Sequence, residues 1–473
     1  MTLPTGPDGT RQTVQLLPGA YYDSVTLMRI GRALAERDGV LAAQTAMATE
    51  LNRELLTELG FPVPAEAGAN DLVIAIRATG EAALTSARAA LGALLTRPVT
   101  TQGFGAPAPA QTTGSAARRL DASLALVSVP GPHAATEAMD ALTAGLNVMV
   151  FSDNVSVDQE ITLKDEAAKR GLIVMGPDCG TAVIGGAGLG FANAVRPGKV
   201  GLVAASGTGA QQVMCLLDEA GAGISHALGV GGRDLSAEVS GRSALAALAA
   251  LDADPATELI VVVSKPPAPK VADLILEAAR RLATPTVFGL LGPGSDDLTS
   301  VVEKALSVLG IAVPQWPTWP APVARAPRAG MLHGLFAGGT LCGEARLIAA
   351  ETLDPSRFAM VDFGDDSLTR GRAHPMIDPT SRLERLATLG PGTAVVLLDV
   401  VLGYGSEADP AALLAPAIAA VRDAQVVVSL CGTPADPQDR DRQAAALQAA
   451  GAAVFASNAA AARYAVSLMR EVP

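Results

Sequence analysis

Residues 199–213 read KVGLVAASGTGAQQV. An apolar run of strand length ends at Ala205, small and hydroxyl residues follow, and a helical pattern runs from Gly209 to Ala220. A near-continuous apolar strand is typical of a parallel sheet that helices cover on both faces. The stretch therefore predicts one strand–turn–helix unit of a doubly wound α/β fold.

The same alternation of apolar strands and helices extends to both sides of this stretch. It predicts a small α+β, ferredoxin-like domain over residues 12–97 and three α/β domains with parallel sheets over residues 118–195, 196–312 and 329–473. Two stretches rich in Gly, Pro, Thr or Ala, residues 100–117 and 313–328, predict linkers.

The composition excludes several classes of function. Of the 473 residues, 49% are hydrophobic and 17% are charged, so the chain can bury large cores. The net charge of −12 argues against sequence-independent nucleic-acid binding, which needs a basic face for the phosphates. No apolar run reaches the roughly 18 residues of a membrane span, and no signal-peptide pattern begins the chain. None of the four cysteines has metal-ligand spacing, and a chain of this length needs no disulfides, so we expect a cytoplasmic protein. From the charge and the missing apolar span we expect no nucleic-acid and no membrane partner.

The turn after the first strand is the first candidate site. It consists of Ser206, Gly207, Thr208 and Gly209. Small residues let a ligand approach the backbone, and the amides and positive dipole end of the following helix attract an anion. An ordinary helix N-cap is the alternative explanation. The turn lacks the Gly-Lys-Ser/Thr of a nucleotide-binding P-loop.

Further candidate phosphate ligands follow two other predicted strands. Gly231, Gly232 and Arg233 form a glycine-rich turn beside a guanidinium, which can bind phosphate or carboxylate. Lys265 directly follows the buried run at residues 259–263. Alternatively, this lysine is simply solvated in a proline-stiffened loop.

The segment from Asp362 to Asp378 concentrates four acids, two Arg and one His after a strand. Its candidate catalytic residues are Asp365, Asp366, Arg372 and His374. The two acids could hold a divalent ion or position the His or an Arg, and we assign no metal to them. Arg372 and His374 lie two residues apart, so in an extended backbone, which Pro375 favours, both side chains point the same way. The alternative is a solvated loop in which Arg372 pairs with local acids and His374 caps a turn.

Several motifs together mark a family resemblance. From residue 123 to about residue 309 the chain resembles the α subunit of succinyl-CoA synthetase, and from about residue 332 it is similar to the carboxy-terminal domain of that enzyme's β subunit. The FdrA family matches more closely, along nearly the whole chain. The motifs shared with it include YYDSVTLMRI, MGPDCGTAVIGG, SGTGAQQV, GVGGRDLS, VSKPPAP, LFAGGTLC, GRAHPMIDP and CGTPADPQ.

The resemblance carries expectations about function. It implies that residues 118–195 form a CoA-binding-like Rossmann domain and that residues 196–312 and 329–473 form flavodoxin-like domains. It also implies that Ser206–Thr208 match the helix start that cradles phosphate in the synthetase, and that the segment after Asp362 matches the β-subunit helix opposite it. Some FdrA-like proteins are implicated as one subunit of oxamate carbamoyltransferase, with two companion subunits. That enzyme interconverts oxalurate and phosphate with oxamate and carbamoyl phosphate in allantoin degradation.

Two departures from the synthetase limit what carries over. Where the synthetase has its phosphohistidine, this chain has GPGSDDLTS, so we expect no phosphohistidine. The glycine-rich turn of the synthetase's CoA site corresponds in this chain to TTQGFGAPAPAQ, residues 100–111. Because this stretch is irregular, CoA binding is doubtful. A phosphate site without a phosphohistidine fits non-covalent handling of an acyl phosphate.

The leading hypothesis is therefore a carbamoyltransferase subunit that works in an oligomer with companion subunits. In that reaction Arg372 would stabilise the leaving phosphate and His374 would act as the base, oriented by Asp365 or Asp378. Two alternatives stay open, an ADP-forming acid–CoA ligase and a non-catalytic scaffold subunit.

Overall fold

A computed structural model describes residues 10–20, 22, 24–95, 110, 112–323, 326–369 and 372–469, with the side chains of Ser24, Val25, Leu51 and Asp366 left out. Most of the predicted linker at residues 100–117 lies outside the described residues. None of the described helices is both long and apolar enough to cross a membrane.

The first unit is a three-stranded antiparallel sheet with β3 in the middle. Its elements are β1 (Arg11–Leu17), α1 (Ser24–Ala35), β2 (Val40–Met47), α2 (Glu50–Glu58), β3 (Leu72–Ala78) and α3 (Glu81–Leu95). Alternate residues of β3, among them Ile74 and Ile76, pack with Leu34 and Leu84 of the helices. The predicted order of strands and helices is confirmed here.

The second unit is a parallel sheet with strand order β4-β5-β6. Its elements are α4 (Thr113–Ala117), β4 (Leu124–Val127), α5 (Gly131–Thr143), β5 (Asn147–Val150), α6 (Val157–Arg170) and β6 (Val174–Met175). Helix α6 begins with a capping box between Ser156 and Gln159 and ends at Gly171 in the left-handed conformation.

The third unit is a six-stranded sheet with strand order β12-β11-β9-β10-β7-β8. Its elements are β7 (Thr181–Ile184), β8 (Ala187–Gly190), β9 (Pro197–Ala205), α7 (Gly207–Glu219), β10 (Ile224–Gly229), α8 (Arg242–Ala253), β11 (Leu259–Ser264), α9 (Pro269–Ala279), β12 (Thr286–Leu290) and α10 (Leu298–Val308). Strands β9 to β12 are parallel, as the apolar runs predict. The antiparallel hairpin β7–β8 at the edge was not among the predicted elements.

The fourth unit is a six-stranded sheet with strand order β13-β18-β17-β16-β14-β15. Its elements are β13 (Thr318–Trp319), β14 (Met331–Phe336), α11 (Gly339–Ala350), a 3-10 turn (Pro355–Arg357), β15 (Phe358–Asp362), α12 (Asp366–Thr369), α13 (Thr380–Ala387), β16 (Thr393–Val401), α14 (Pro410–Ala420), β17 (Gln425–Cys431), α15 (Arg440–Ala449), β18 (Ala453–Phe455) and α16 (Asn458–Ser467). The predicted linker at 313–328 is wrong in part, because β13 pairs antiparallel with β18 and closes the edge of this sheet.

The third and fourth units share one hydrophobic core. It runs from β9 and α7 through α11 and α16 to β16 and β17 without a break. Buried polar contacts cross the same boundary: the Gln212 amide donates to the Ala456 carbonyl at 3.0 Å, and the Asn193 amide donates to Asp436 at 2.8 Å. The two sheets therefore pack as one body, which brings the start of α7 to the start of α11.

Candidate functional site

The start of α7 is built as predicted. Ser206 is its N-cap, and the Ser206 Oγ accepts a hydrogen bond from the Gly209 amide at 3.0 Å. The amides of Gly207 and Thr208 have no acceptor among the described residues, and Gly207 is exposed. Free first-turn amides at the positive end of the helix dipole suit an anion.

A second helix start lies directly against the first. Gly338 is the N-cap of α11 and has no side-chain cap, and a Cβ on Gly338 would lie 2.9 Å from Thr208. The hydroxyl oxygens of Ser206 and Thr340 are 2.5 Å apart and buried. Two helix N-termini, each with free amides, therefore meet at one hydroxyl pair.

This arrangement corrects one expectation. The sequence comparison placed the opposite helix after Asp362, but α12 there has only four residues. The helix opposite α7 is α11, which begins within the LFAGGTLC motif. Glycine at Gly338 lets the two backbones approach, since any side chain would collide with Thr208.

A buried ion pair supports the start of α11. Asp399 of β16 accepts hydrogen bonds from the amides of Ala337 and Gly338, both at 2.7 Å, through its two carboxylate oxygens. Arg382 of α13 donates to Asp399 Oδ1 at 3.0 Å, and both side chains are buried. Burial raises the pKa of Asp399, whereas the positive charge of Arg382 opposes that rise. We did not predict either residue, although a lone acid inside the apolar run AVVLLDVV was a visible signal.

Lys265 and Asp362 lie at the mouth between the two helices. A Cβ on Gly339 would lie 3.1 Å from the Lys265 Nζ and 2.4 Å from the Asp362 Oδ2, so both charged groups face the first residue of α11. The Asp362 Oδ1 accepts from the Gly364 amide at 2.9 Å. Burial raises the pKa of Asp362 to about 6. The structure thus places the Lys265 ammonium beside the first residue of α11, and its role as a phosphate ligand stays a prediction.

His374 does not fit the role of a base that titrates near neutrality. It is largely buried with its ring centroid 6.2 Å from that of Phe191, and burial lowers its pKa to about 4. Its Nδ1 accepts from the Met376 amide at 3.3 Å, which leaves the proton of the neutral ring on Nε2. At pH 7 this imidazole is a neutral hydrogen-bond donor, so the expectation of a near-neutral base is wrong.

Arg372 and His374 are not brought together. Arg372 is exposed, pairs with Glu384 at 3.2 Å, and lines a shallow surface depression with Phe363 and Leu368. The backbone does not continue as an extended strand, because the His374 carbonyl accepts from the Ile377 amide and starts a turn. The expectation that both side chains point the same way is therefore wrong.

The acids of the same segment are engaged locally. The Asp365 Oδ1 accepts from the Ser367 amide at 3.0 Å, and the Asp378 Oδ1 accepts from the Thr380 amide at 3.0 Å. Neither orients His374, which corrects the sequence hypothesis. The side chain of Asp366 lies outside the described residues. Within the described part of the chain, no group of three or more His, Cys, Asp or Glu side chains is placed to hold a metal ion.

The glycine-rich turn after β10 joins two units of the chain. Arg233 pairs with the buried Glu160 of α6 at 2.9 Å and donates to the Val155 carbonyl at 2.8 Å. Gly231 has a φ of +89° and packs so closely on the Pro177 carbonyl that a Cβ would lie 2.6 Å from it. Gly232, by contrast, faces open space. The turn thus holds the second unit against the third, and the Arg233 guanidinium that was predicted to bind phosphate or carboxylate is engaged by Glu160.

Comparison with protein families matches three parts of the chain. Residues 10–110 match the family described as AllF, heavy metal-associated domain, residues 195–288 match the CoA binding domain, and residues 335–468 match CoA-ligase. Over 94% of its length the chain is 37% identical to the uncharacterized protein YahF of Escherichia coli K12, and the match covers 96% of that protein. This chain belongs to the FdrA family.

More distant relatives place the FdrA family in a larger group. The chain is 30% identical over 154 residues to subunit α 2 of the ADP-forming succinate–CoA ligase of Archaeoglobus fulgidus, and it spans about half of that subunit (52%). It is 27% identical over 193 residues to the malate–CoA ligase α subunit of Methylorubrum extorquens, with 64% of that subunit covered. A structural match to ATP citrate lyase from Methanothrix soehngenii has a TM-score of 0.35 at 18% identity, over 43% of each chain. The matches to the CoA binding domain and CoA-ligase families, together with the two ligase subunits, place the chain in the succinyl-CoA synthetase-like superfamily of CoA-binding and ligase proteins.

The CoA comparison is corrected in its position. The CoA binding domain family matches residues 195–288 and not residues 118–195, where the resemblance placed that domain. Within residues 118–195, the turn after the first strand, β4, ends at Gly131 and does not lie at residues 100–111. A Cβ on Gly131 would lie 2.5 Å from the Asp153 carbonyl oxygen and 2.7 Å from that of Asn154. Carbonyl oxygens are acceptors, so in this FdrA-family chain they do not fit a pyrophosphate at the start of α5.

The amino-terminal unit does not fit a heavy metal. Such metals are held mostly by thiolate and imidazole ligands, and residues 10–110 contain neither Cys nor His. In this FdrA-family chain the unit keeps the fold named by its family without those ligands.

Proposed function

We propose that the chain is the phosphate-binding subunit of a carbamoyltransferase, which moves a carbamoyl group between phosphate and the nitrogen of an amide or ureido acid. The observation that carries the proposal is the meeting of two helix N-termini at Ser206 and Thr340, with the Lys265 ammonium beside them. The Lys265 ammonium and the first-turn amides that have no acceptor among the described residues offer more donors than one N-cap uses, and they suit the three oxygens of a phosphoryl group. Those amides belong to Gly207 and Thr208 of α7 and to Gly339, Thr340 and Leu341 of α11.

Transfer at this site would be non-covalent. The stretch after β12 that carries the phosphohistidine in the synthetase has no histidine here, since no His occurs between His226 and His333. His374 is nearby, but its Nδ1 is engaged by the Met376 amide and its Nε2 carries the proton. Without a nucleophilic nitrogen, the acyl phosphate itself is the substrate that this site would bind.

We propose that companion subunits complete the site for the second substrate. Oxamate and oxalurate carry a carboxylate, and a guanidinium would be its natural ligand. The arginine close to the anion site, Arg382, is buried and committed to Asp399. Arg372 is exposed beside Phe363 and Leu368, on a surface that a companion subunit could cover.

The test is phosphorolysis by the assembled complex. The chain is co-purified with its companion subunits and supplied with oxalurate and phosphate, and oxamate and carbamoyl phosphate are measured. We expect turnover by the complex, a loss of at least tenfold in the Lys265→Ala complex, and little change in the Lys270→Ala complex, which alters an exposed lysine of α9. A complex that shows no phosphorolysis contradicts the proposal.

An ADP-forming acid–CoA ligase is the second candidate function, and the matches to CoA-ligase and CoA binding domain families favour it. It predicts acyl-CoA and ADP from ATP, CoA and an acid, and a labelled histidine after incubation with [γ-32P]ATP. We expect neither product nor label, because GPGSDDLTS lacks a histidine. CoA-dependent ADP formation by the chain would favour the ligase.

A further inference from the structure

Asp362 is the ionisable side chain closest to the first residue of α11. Its Oδ1 is held by the Gly364 amide at 2.9 Å, whereas its Oδ2 has no hydrogen-bond partner among the described residues. That free oxygen points at Gly339, where a Cβ would lie only 2.4 Å from it. A carboxylate with one oxygen fixed and the other facing the anion site is placed to contact a reacting group.

The surroundings of Asp362 favour a carboxyl that exchanges its proton. It is half-buried, and its negative neighbours Asp399 and Asp365 act in the same direction as burial, towards the protonated form. The hydrogen bond from the Gly364 amide and the charge of Lys265 act in the opposite direction, and the neutral His374 faces Gly364 from the other side. The balance brings the pKa of Asp362 to about 6, between an ordinary aspartate and neutrality.

We propose that Asp362 is the catalytic proton carrier of this site, a role that rests on the proposed carbamoyl transfer. In phosphorolysis, an oxygen of hydrogen phosphate attacks the ureido carbonyl carbon, and its proton passes to the Asp362 carboxylate. The bond from that carbon to nitrogen then breaks, and Asp362 returns the proton to the leaving nitrogen. The products are carbamoyl phosphate and the amide, and the carboxylate is regenerated, so atoms and charge balance without a further reactant.

A purely structural role makes a different prediction. If Asp362 only shaped the start of α11, an isosteric asparagine would preserve the Gly364 contact and the rate. A proton carrier cannot be replaced by an amide, because the amide neither accepts nor returns a proton at these pH values. The distinction therefore lies in the rate and its pH dependence rather than in folding.

The experiment compares the complexes of wild type, Asp362→Asn and Asp354→Asn. The control Asp354 lies eight residues away, is exposed and accepts a hydrogen bond from the Ser356 amide at 2.9 Å. We expect Asp362→Asn to lower single-turnover phosphorolysis about 10²–10⁴-fold and to remove the rate dependence near pH 6, while Asp354→Asn stays within a few-fold of wild type. An Asp362→Asn complex within a few-fold of wild type overturns the proposal.

A second measurement separates failure of this inference from failure of the proposed function. Phosphate binding is followed by calorimetry in buffers of different ionisation enthalpy, which reports proton uptake without any turnover. We expect wild type to take up protons near pH 6, because a bound phosphate dianion raises the pKa of a neighbouring carboxylate, and Asp362→Asn to lose that uptake. At the higher pH of the turnover assay the uptake should decline, because the Asp362 carboxylate stays ionised and accepts the proton of hydrogen phosphate. If the wild-type complex shows no phosphorolysis, the proposed function fails. Unchanged uptake in Asp362→Asn overturns the role of Asp362.

Discussion

The two helix starts at the candidate site are stabilised in different ways. Helix α7 is capped by a residue of its own turn, since the Ser206 hydroxyl accepts from the Gly209 amide. Helix α11 has glycine at its cap, and its preceding amides are held instead by Asp399, which belongs to another strand. The start of α7 is a local motif, whereas the start of α11 forms only when β14, β16 and α13 are assembled.

This difference has a consequence for binding. The Ser206 side chain already occupies one amide of the first turn of α7, whereas no side chain caps α11. The anion site therefore depends more on the assembled start of α11 than on the local turn of α7. The predictions below test this comparison, from the largest expected effect to the smallest.

Removing the ion pair under α11 should have the largest effect. Arg382→Met leaves the Asp399 carboxylate buried and unpaired, which costs about 3–5 kcal/mol of unfolding free energy. Urea denaturation should show a lower midpoint, and phosphate binding should be lost. Arg372→Met is the control, because its exposed pair with Glu384 contributes at most about 1 kcal/mol. Equal midpoints for the two variants would contradict the dependence of α11 on Asp399.

Acid should lower the free energy of unfolding because it protonates His374. Its pKa in the fold is about 4, below the ordinary 6.5, so the unfolded chain binds a proton before the folded chain does as the pH falls. This contribution to stability is complete above about pH 6.5 and is lost as the pH falls towards 4, and the difference corresponds to about 3 kcal/mol.

The measurement is urea denaturation between pH 4 and 7.5 for wild type, His374→Gln and His133→Gln. We expect the acid loss to be smaller by that amount in His374→Gln and unchanged in His133→Gln, which alters an exposed imidazole of α5. Parallel pH curves for wild type and His374→Gln would show that His374 does not contribute.

A methyl group at the start of α11 should block the anion. In Gly339→Ala the new Cβ would lie 2.4 Å from the Asp362 Oδ2 and 3.1 Å from the Lys265 Nζ, so the carboxylate and ammonium must move. We expect phosphate affinity to fall about tenfold, equivalent to about 1.4 kcal/mol. Gly343→Ala in the same helix meets no atom within 4 Å and should leave affinity unchanged in the same titration.

Removing the cap of α7 should have the smallest effect. Ser206→Ala loses the bond to the Gly209 amide and the contact with Thr340, and we expect a loss of about 1 kcal/mol in stability with a few-fold loss of phosphate affinity. Thr49→Ala removes the corresponding cap of α2, which accepts from the Asn52 amide, and should leave phosphate affinity unchanged. A larger affinity loss in Ser206→Ala than in Gly339→Ala would reverse the comparison.

The same difference explains what could be predicted from sequence. The β9–α7 unit was predicted correctly because its apolar run, its hydroxyl cap and its helix are contiguous. Strand β14 and helix α11 were missed because Gly334, Gly338 and Gly339 interrupt the pattern on which the prediction relies. Glycines that allow close packing also interrupt the apolar pattern from which a strand or helix is predicted.

The predicted roles of the side chains between Asp362 and Asp378 were wrong for another reason. Its polar density correctly drew attention to the neighbourhood, since Asp362 faces the start of α11. Which side chains turn inwards depends on the turn that begins at His374 and on packing against Phe191, and neither is encoded by spacing along the chain. The buried partners Asp399 and Arg382 were hidden because tertiary contacts alone pair them.

The shared core of the third and fourth units has a consequence for assembly. In the enzyme that the chain resembles, the corresponding helices belong to separate subunits, so their pairing obeys mass action. Here α7 and α11 are parts of one polypeptide and are buried in one core, so dilution cannot separate them. The geometry of the proposed anion site therefore does not depend on protein concentration, and a concentration threshold is expected only for the proposed association with companion subunits.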